Sequence, residues 1–291
     1  MVKKNIIGLL VLIFAFSILT GCGANENGGF DLSSEIVMVT REEGSGTRGA
    51  FVELTGIEEK GDDGTKTDRT TKEAITQMKT DTVLSSVSGE KYAIGYVSTG
   101  SLNDTVKALK IDGVAPKTEN IKSGDYKLAR PFNIATKDEI SELAQDFIDF
   151  IMSKEGQEVV AESYISIDDN AAPYSGTKPS GKIVVAGSSS VTPVMEKLRE
   201  AYLEINPDAT IEVQQSDSTS GMQAAMDGTA DIGMASRELK ESEKAELNDL
   251  AIAIDGIAVI VNTANPLDDL SVEEVKDIYI GEILTWSEIS E

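Results

Sequence analysis

The 291-residue chain contains no histidine, one cysteine and one tryptophan. Each shortage removes a class of function. Without histidine, a serine nucleophile lacks its commonest base and a transition metal its commonest ligand. A lone cysteine has no partner in the chain for a thiolate metal site. No DxDxDG loop is present to hold calcium. No metal and no cofactor is therefore expected. Positive charge is also scarce: 26 Lys and Arg face 50 Asp and Glu, for a net charge of -24. That balance speaks against nucleic acid or an anionic membrane surface as partner, because both need clustered basic residues. It leaves a small anion open, since oriented N–H groups can attract one locally.

Long apolar runs are missing too. The longest, Ile6 to Leu19, falls short of the roughly 20 residues that span a bilayer. It follows Lys3 and Lys4 and closes in Leu19-Thr20-Gly21-Cys22, which resembles a bacterial lipobox. Residues 1–21 are thus expected to be an export signal, with Cys22 carrying lipid. Two acyl chains on the glyceryl unit and a third on the amine would anchor the protein firmly outside the cytoplasmic membrane. Residues 22–35, with the polar stretch NENGGFDLSS, then form a tether.

The rest has the composition of a globular protein, long enough for two domains. Short β-branched runs alternate with helical patterns, which predicts α/β architecture. Strands are expected at Ile36–Thr40, Tyr92–Val97, Val106–Ile111, Ile183–Ala186, Thr210–Gln214, Ile232–Ala235 and Ile252–Asn262. Helical spacing predicts helices over Glu139–Glu162, Val194–Ile205 and Val272–Tyr279. Asp168–Gly181, DDNAAPYSGTKPSG, reads as a flexible linker with little to bury. Its GTKPSGK imitates a phosphate-binding GxxxxGK[ST] loop, but Ile183 replaces the required Ser/Thr and no strand leads in. Trp286 and the scattered tyrosines read as packing residues.

Three stretches share one design, a strand followed by a Ser/Gly/Thr turn that opens a helix. They are IVMVTREEGSGTRGAF with Ser45, Gly46 and Thr47; KIVVAGSSSVTPVMEKL with Ser188, Ser189 and Ser190; and IEVQQSDSTSGMQAAM with Ser218. A fourth strand, in ADIGMASREL, ends at Ser236-Arg237. One such turn alone is an ordinary N-cap. Four at the carboxyl ends of strands in one α/β chain point to a ligand, because open sheets bind ligands at that edge. Three converging helix starts supply roughly +1.5 of diffuse charge, and Arg41 about one more. That nearly matches a hydrogen-phosphate dianion. Glu43 is expected to hold the Arg41 guanidinium.

These stretches, with AIDGIAVIVN, DIYIGEILTW, YAIGYVSTGSLNDTVKALKIDG and RPFNIATKDE, resemble the phosphate-binding proteins of ABC-type phosphate importers. The resemblance covers nearly everything after the tether. It implies a two-lobed, periplasmic-binding-protein-like fold of type II, each lobe a sheet flanked by helices, with hinge strands between. It also implies inorganic phosphate as ligand, membrane permease subunits as partners, no catalysis, and a monomer. By motif, the ligand residues would be Arg41, Ser45, Gly46, Thr47, Ser189, the N–H of Ser190, and Ser218. The position where the family often has an aspartate is Ser236, followed by Arg237. That aspartate accepts a hydrogen bond from the protonated phosphate oxygen and repels sulfate, so exclusion of sulfate is in question. Asp217, beside Ser218, is a candidate for the missing acceptor; a solvated turn residue is the alternative.

The order of these motifs is reversed relative to the family. AGSSSVTP, normally near the start, follows GSGTR, and TWSEISE stops where the family would continue into SEIVMVTREEGSGTRG. This is the pattern of a circular permutation, with the linker joining former ends. One lobe would then comprise 36–131 plus 256–291 and the other 132–255, with hinge crossings near Arg130–Asn133 and Asp255–Ile257. The competing readings are a binder of sulfate, molybdate or an organic phosphate; a surface sensor or adhesin on the same scaffold; and a serine hydrolase using the GSGT loop.

Overall fold

Alternating strands and helices fill the computed structural model, which describes residues 29–61 and 65–289. The expected export signal and Cys22 lie outside the described residues. In chain order the first half holds β1 (Val37–Arg41), α1 (Gly46–Leu54), β2 (Glu58–Lys60), β3 (Lys66–Asp68), β4 (Ile75–Gln77), α2 (Thr80–Gly89), β5 (Ala93–Ser98), β6 (Val106–Ala108), β7 (Lys110–Ile111), α3 (Thr118–Ser123) and β8 (Ala129–Thr136). Then come α4 (Glu142–Met152), α5 (Lys154–Ala161), β9 (Gly181–Ser188), α6 (Thr192–Ile205), β10 (Ala209–Ser216), α7 (Ser218–Asp227), β11 (Ile232–Ala235) and α8 (Glu241–Lys244). The last elements are β12 (Asn248–Asn262), β13 (Asp269–Leu270) and α9 (Val272–Ile280).

The main strands run in the order β10-β9-β11-β8-β12-β5-β1-β4, with β6 also on β12. Flanking strands pair in parallel, β9 with β10 and β11, and β1 with β4 and β5. β8 and β12 run antiparallel to their neighbours and join the two halves. β12 is 15 residues long; its first part pairs with β8 and its later part with β5. Two main cores follow from this, with two smaller apolar clusters beside them. Phe132, Phe147, Val185, Leu198, Met234 and Ile252 bury one. Phe51, Tyr96, Val259, Tyr279 and Trp286 bury the other. The fold is α/β and periplasmic-binding-protein-like, and the residues at the carboxyl ends of β1, β9 and β11 meet one another between the two main cores.

Three local features differ from the sequence expectation. The Glu139–Glu162 pattern is two helices, broken at Ser153, whose Oγ accepts the Gly156 N–H at 3.3 Å and caps the second. A Cβ at Gly156 would overlap the Phe150 carbonyl, so the chain must turn there. Val106–Ile111 is likewise two strands, since β6 joins β12 while β7 pairs with β13 in a separate ribbon. The Asp168–Gly181 connection is tied down. Asp146, buried on α4, accepts the Tyr174 and Tyr202 hydroxyls and the Thr177 N–H at 2.5, 2.6 and 2.7 Å. Asn206 reaches the Pro179 carbonyl at 3.0 Å. A tyrosine inside an otherwise small and polar run gives this connection something to bury.

Ile165, bridged to Ile254, packs with the second core and not with its sequence neighbours. Phe30, in the stretch expected to form a tether, packs edge-on against Tyr92 and Trp286. The Ile36 N–H donates to the Leu284 carbonyl at 2.8 Å, so the two ends of the described chain lie side by side.

Candidate functional site

Arg41 closes β1, and the next four residues turn sharply into α1. Ser45 caps that helix by accepting the Arg48 N–H at 3.3 Å. On the facing half, β9 ends at Ser188, whose Oγ accepts the Ser190 N–H at 3.3 Å before α6 begins with Pro193 in its first turn. Gly187 precedes this turn with φ +140, and a Cβ there would strike the Met234 backbone. Only glycine lets β9 lie that close to β11. Asp217 caps α7, its carboxylate taking the Ser220 N–H at 2.8 Å and the Ser220 hydroxyl at 2.6 Å.

These mouths meet across the cleft. Arg41 Nη2 donates to Ser189 Oγ at 3.0 Å, and Thr47 Oγ1 lies 2.8 Å from Ser190 Oγ. The Thr219 N–H donates to the Gly44 carbonyl at 3.2 Å, a direct backbone bond between the halves. Ser188 Oγ donates to Ser236 Oγ at 2.9 Å, and Ser218 Oγ accepts the Ser236 N–H at 3.1 Å. Gly46 sits against this pair, where a Cβ would overlap both the Ser218 and Ser236 hydroxyls. Arg41, Ser45, Thr47, Ser189, Ser190, Ser218 and Ser236 are all buried. The result is a cage of buried hydroxyls bonded in pairs, with Ser189 held by Arg41. Two surface concavities, about 560 and 550 Å³, lie elsewhere and include none of these residues.

Two expected residues stand apart from the cage. The Arg237 guanidinium turns away and forks onto Glu243 at 2.7 and 2.8 Å. Burial alone would raise the Glu243 carboxyl, but hydrogen bonds from Arg237 and the Lys240 N–H outweigh it and hold it below the usual range. Asp217 uses both carboxylate oxygens on its own helix, beneath Gly44.

The partner of Arg41 is Glu42 and not Glu43. Glu42 takes Nε at 2.8 Å and Nη2 at 2.7 Å, while Glu43 is exposed. The Glu42 N–H bonds the Gln77 carbonyl and keeps that residue beside β4; Glu43 then falls at the corner of the turn. Glu42 offsets the full charge expected from Arg41, so helix ends and hydroxyls carry more of any attraction for an anion.

Sequence reasoning missed four supporting residues. Thr80, buried at the start of α2, lies 3.4 Å from both Arg41 Nη1 and Ser189 Oγ. Tyr96 accepts the Arg41 N–H at 3.2 Å, with Phe51 stacked on its ring at 3.9 Å. Arg130 and Asp255 form a buried ion pair at 3.1 Å where β8 and β12 cross between the halves. Ser98 and Thr99 donate to the same carboxylate at 2.9 and 3.0 Å, and Arg130 Nη1 donates to the Ser236 carbonyl at 2.8 Å. Burial pushes the Asp255 carboxyl upward, against the opposing pull of Arg130. Only the Arg130–Asn133 and Asp255–Ile257 hinge expectation gave a signal for this pair.

A family model for the PBP superfamily domain matches residues 25–155 and 172–290. Phosphate-binding protein PstS 2 of Streptococcus agalactiae is 49% identical over 295 residues, covering 100% of both chains. Phosphate-binding protein PstS of Staphylococcus saprophyticus is 35% identical, over 39% of this chain and 38% of its own. A crystal structure of a phosphate ABC transporter phosphate-binding protein from Streptococcus pneumoniae aligns with a TM-score of 0.71 at 47% identity, covering 88% of this chain and 100% of that one. The chain belongs to the PBP superfamily and, within it, to the family of phosphate-binding PstS proteins.

Proposed function

We propose that this protein captures inorganic phosphate between its two halves and hands it to the membrane permease of an ABC importer, without turning it over. The observation that carries this reading is the meeting of Arg41 and Thr47 with Ser189 and Ser190, from opposite sides of one cleft. Each of these contacts is a hydroxyl or guanidinium bond that a tetrahedral oxyanion can replace with a stronger, charge-assisted one. Entry of the ligand exchanges cage–cage bonds for cage–ligand bonds, and the halves must part and reclose for it to happen. The β8 and β12 crossings are the hinge in this reading. Ser45, Gly46, Ser218 and Ser236 complete the ligand set.

The anchor and the topology belong to the same proposal. Cys22 carries lipid and holds the protein, as a monomer, at the outer face of the cell membrane. The chain order is a circular permutation with 36–131 plus 256–291 as one lobe and 132–255 as the other. Its support is the partial match to the staphylococcal relative beside the full-length match to the streptococcal one. The adjacency of Ile36 and Leu284 agrees with a cut made in a formerly continuous segment.

Titration calorimetry of the mature chain with phosphate, sulfate and arsenate tests the function. Phosphate is expected to bind, and Arg41→Ala and Ser45→Ala are expected to lose about tenfold to a hundredfold each, the value of one charged hydrogen bond. Sulfate binding is expected to be appreciable in the wild type and to fall selectively in Ser236→Asp. Release of product from phosphate esters, or indifference to both alanine variants, would remove the reading.

A further inference from the structure

We propose that Thr80, at the mouth of α2, is a further ligand of the bound oxyanion, a role that rests on the oxyanion reading above. Its Oγ1 lies 3.4 Å from Arg41 Nη1, 3.4 Å from Ser189 Oγ and 3.5 Å from Ser190 Oγ. A well-formed O–H···O bond is about 2.7–2.8 Å long. One hydroxyl, only 4% exposed as a residue, thus stands beside three groups from both halves and is held closely by none of them. A buried hydroxyl so weakly engaged costs free energy unless a better partner takes it up.

Thr80 has no competing duty at its own helix. The start of α2 is fastened by Thr82, whose Oγ1 accepts the Lys79 N–H at 3.2 Å and donates to the Lys79 carbonyl at 2.8 Å. The helix has 10 residues, and like any helix its first-turn N–H groups have no intrahelical acceptor. Its placement is a consequence of sheet register. β4 pairs with β1 so that Gln77 lies opposite Arg41, and three residues later Thr80 arrives beside the guanidinium. An oxyanion bonded to Arg41 Nη1, Ser189 and Ser190 on their α2 side comes within reach of a hydroxyl that is itself 3.5 Å or less from all three. Thr80 then donates to an oxygen on the α2 side, and the cradle gains a fourth helix mouth.

Calorimetry with inorganic phosphate on the full mature chain tests this, comparing wild type, Thr80→Val, Thr80→Ser and Ser45→Ala. Thr80→Val keeps the shape and removes the hydroxyl; it is expected to weaken binding about tenfold or more. Thr80→Ser keeps the hydroxyl and is expected to stay within about threefold of wild type, well under one hydrogen bond. Thermal unfolding without phosphate is expected to be the same for both, which a role in packing alone would not give. If Thr80→Val unfolds early, Thr80→Ala replaces it in the comparison. Wild-type affinity in the variant lacking the hydroxyl, with binding lost in Ser45→Ala, would overturn the role of Thr80 and leave the oxyanion reading standing. Equal losses in the Val and Ser variants would also overturn it, in favour of packing. Failure of the wild type to bind phosphate would remove the underlying reading, and this role with it.

Discussion

The cleft and the hinge are both buried and polar, yet they are built from opposite materials. The cleft is mostly hydroxyl: Thr47 meets Ser190, Ser188 meets Ser236, Ser218 takes the Ser236 N–H and Ser189 takes Arg41, and each hydroxyl can donate or accept. The hinge is a fixed pair of charges, Arg130 and Asp255, with Ser98 and Thr99 filling the remaining acceptor sites. Hydroxyls can trade one partner for another at small cost, which suits the opening and refilling proposed for this site. A buried guanidinium and carboxylate cannot separate without leaving a charge unpaired. The difference teaches where motion can occur. In the cycle proposed above, the lobes part at the hydroxyl cage, while the crossing strands keep their register and only bend.

The largest expected effect breaks the hinge side of this contrast. Asp255→Ala leaves Arg130 buried without its partner and is expected to destabilise the protein by about 3–5 kcal/mol. Urea unfolding measures it, and a loss below about 1 kcal/mol would mean the pair is not the fixed element described here. A smaller effect is expected at the edge of the cage. Gly44 has no Cβ, and one added there would overlap the Asp217 carboxylate on the opposite side. Gly44→Ala is therefore expected to hinder closure and weaken phosphate binding about tenfold, near the cost of modest overpacking. Small-angle scattering should show a more open particle with phosphate present; unchanged scattering and affinity would show that the halves do not meet at Gly44 when closed.

The smallest effect concerns a third buried polar group, outside both regions. Burial alone would raise the Asp146 carboxyl, but hydrogen bonds from Tyr174, Tyr202 and the Thr177 N–H hold it below its ordinary 3.8. A carboxyl lowered by folding stabilises the native state at neutral pH. That contribution fades as pH falls through the folded value, below 3.8. Asp146→Asn is expected to cost about 1 kcal/mol at pH 7, with the gap to wild type closing under strong acid. A gap that stays constant from pH 7 to the acid transition would mean the carboxylate charge does not matter to the connection it holds.

Much of the cage was legible because its signals are local. A strand running into Ser, Gly and Thr and then into a helix can be read within a dozen residues, and Arg41 sits at the end of such a strand. Thr80 and Glu42 carry no comparable signature. KTDT at the start of α2 looks like any helix start, and its nearness to Ser189 depends on β4 lying beside β1. Glu42 and Glu43 are equivalent on paper; the turn decides which one faces the guanidinium. The Asp168–Gly181 connection misled for the same reason. Its composition is that of a loose tie, and only the position of Asp146 on α4 shows what Tyr174 has to bind.

The chain by itself determined the kinds of chemistry available: no histidine, many hydroxyls at strand ends, and an arginine beside a glycine-rich turn. It also determined the alternation of strands and helices, because side-chain periodicity is a property of neighbours. Tertiary structure alone decided which hydroxyls face one another, which acid neutralises Arg41, and that Arg130 and Asp255 meet across 125 positions of chain. Those pairings arise from strand register and from two cores closing against a shared sheet, and no short window of residues contains that information.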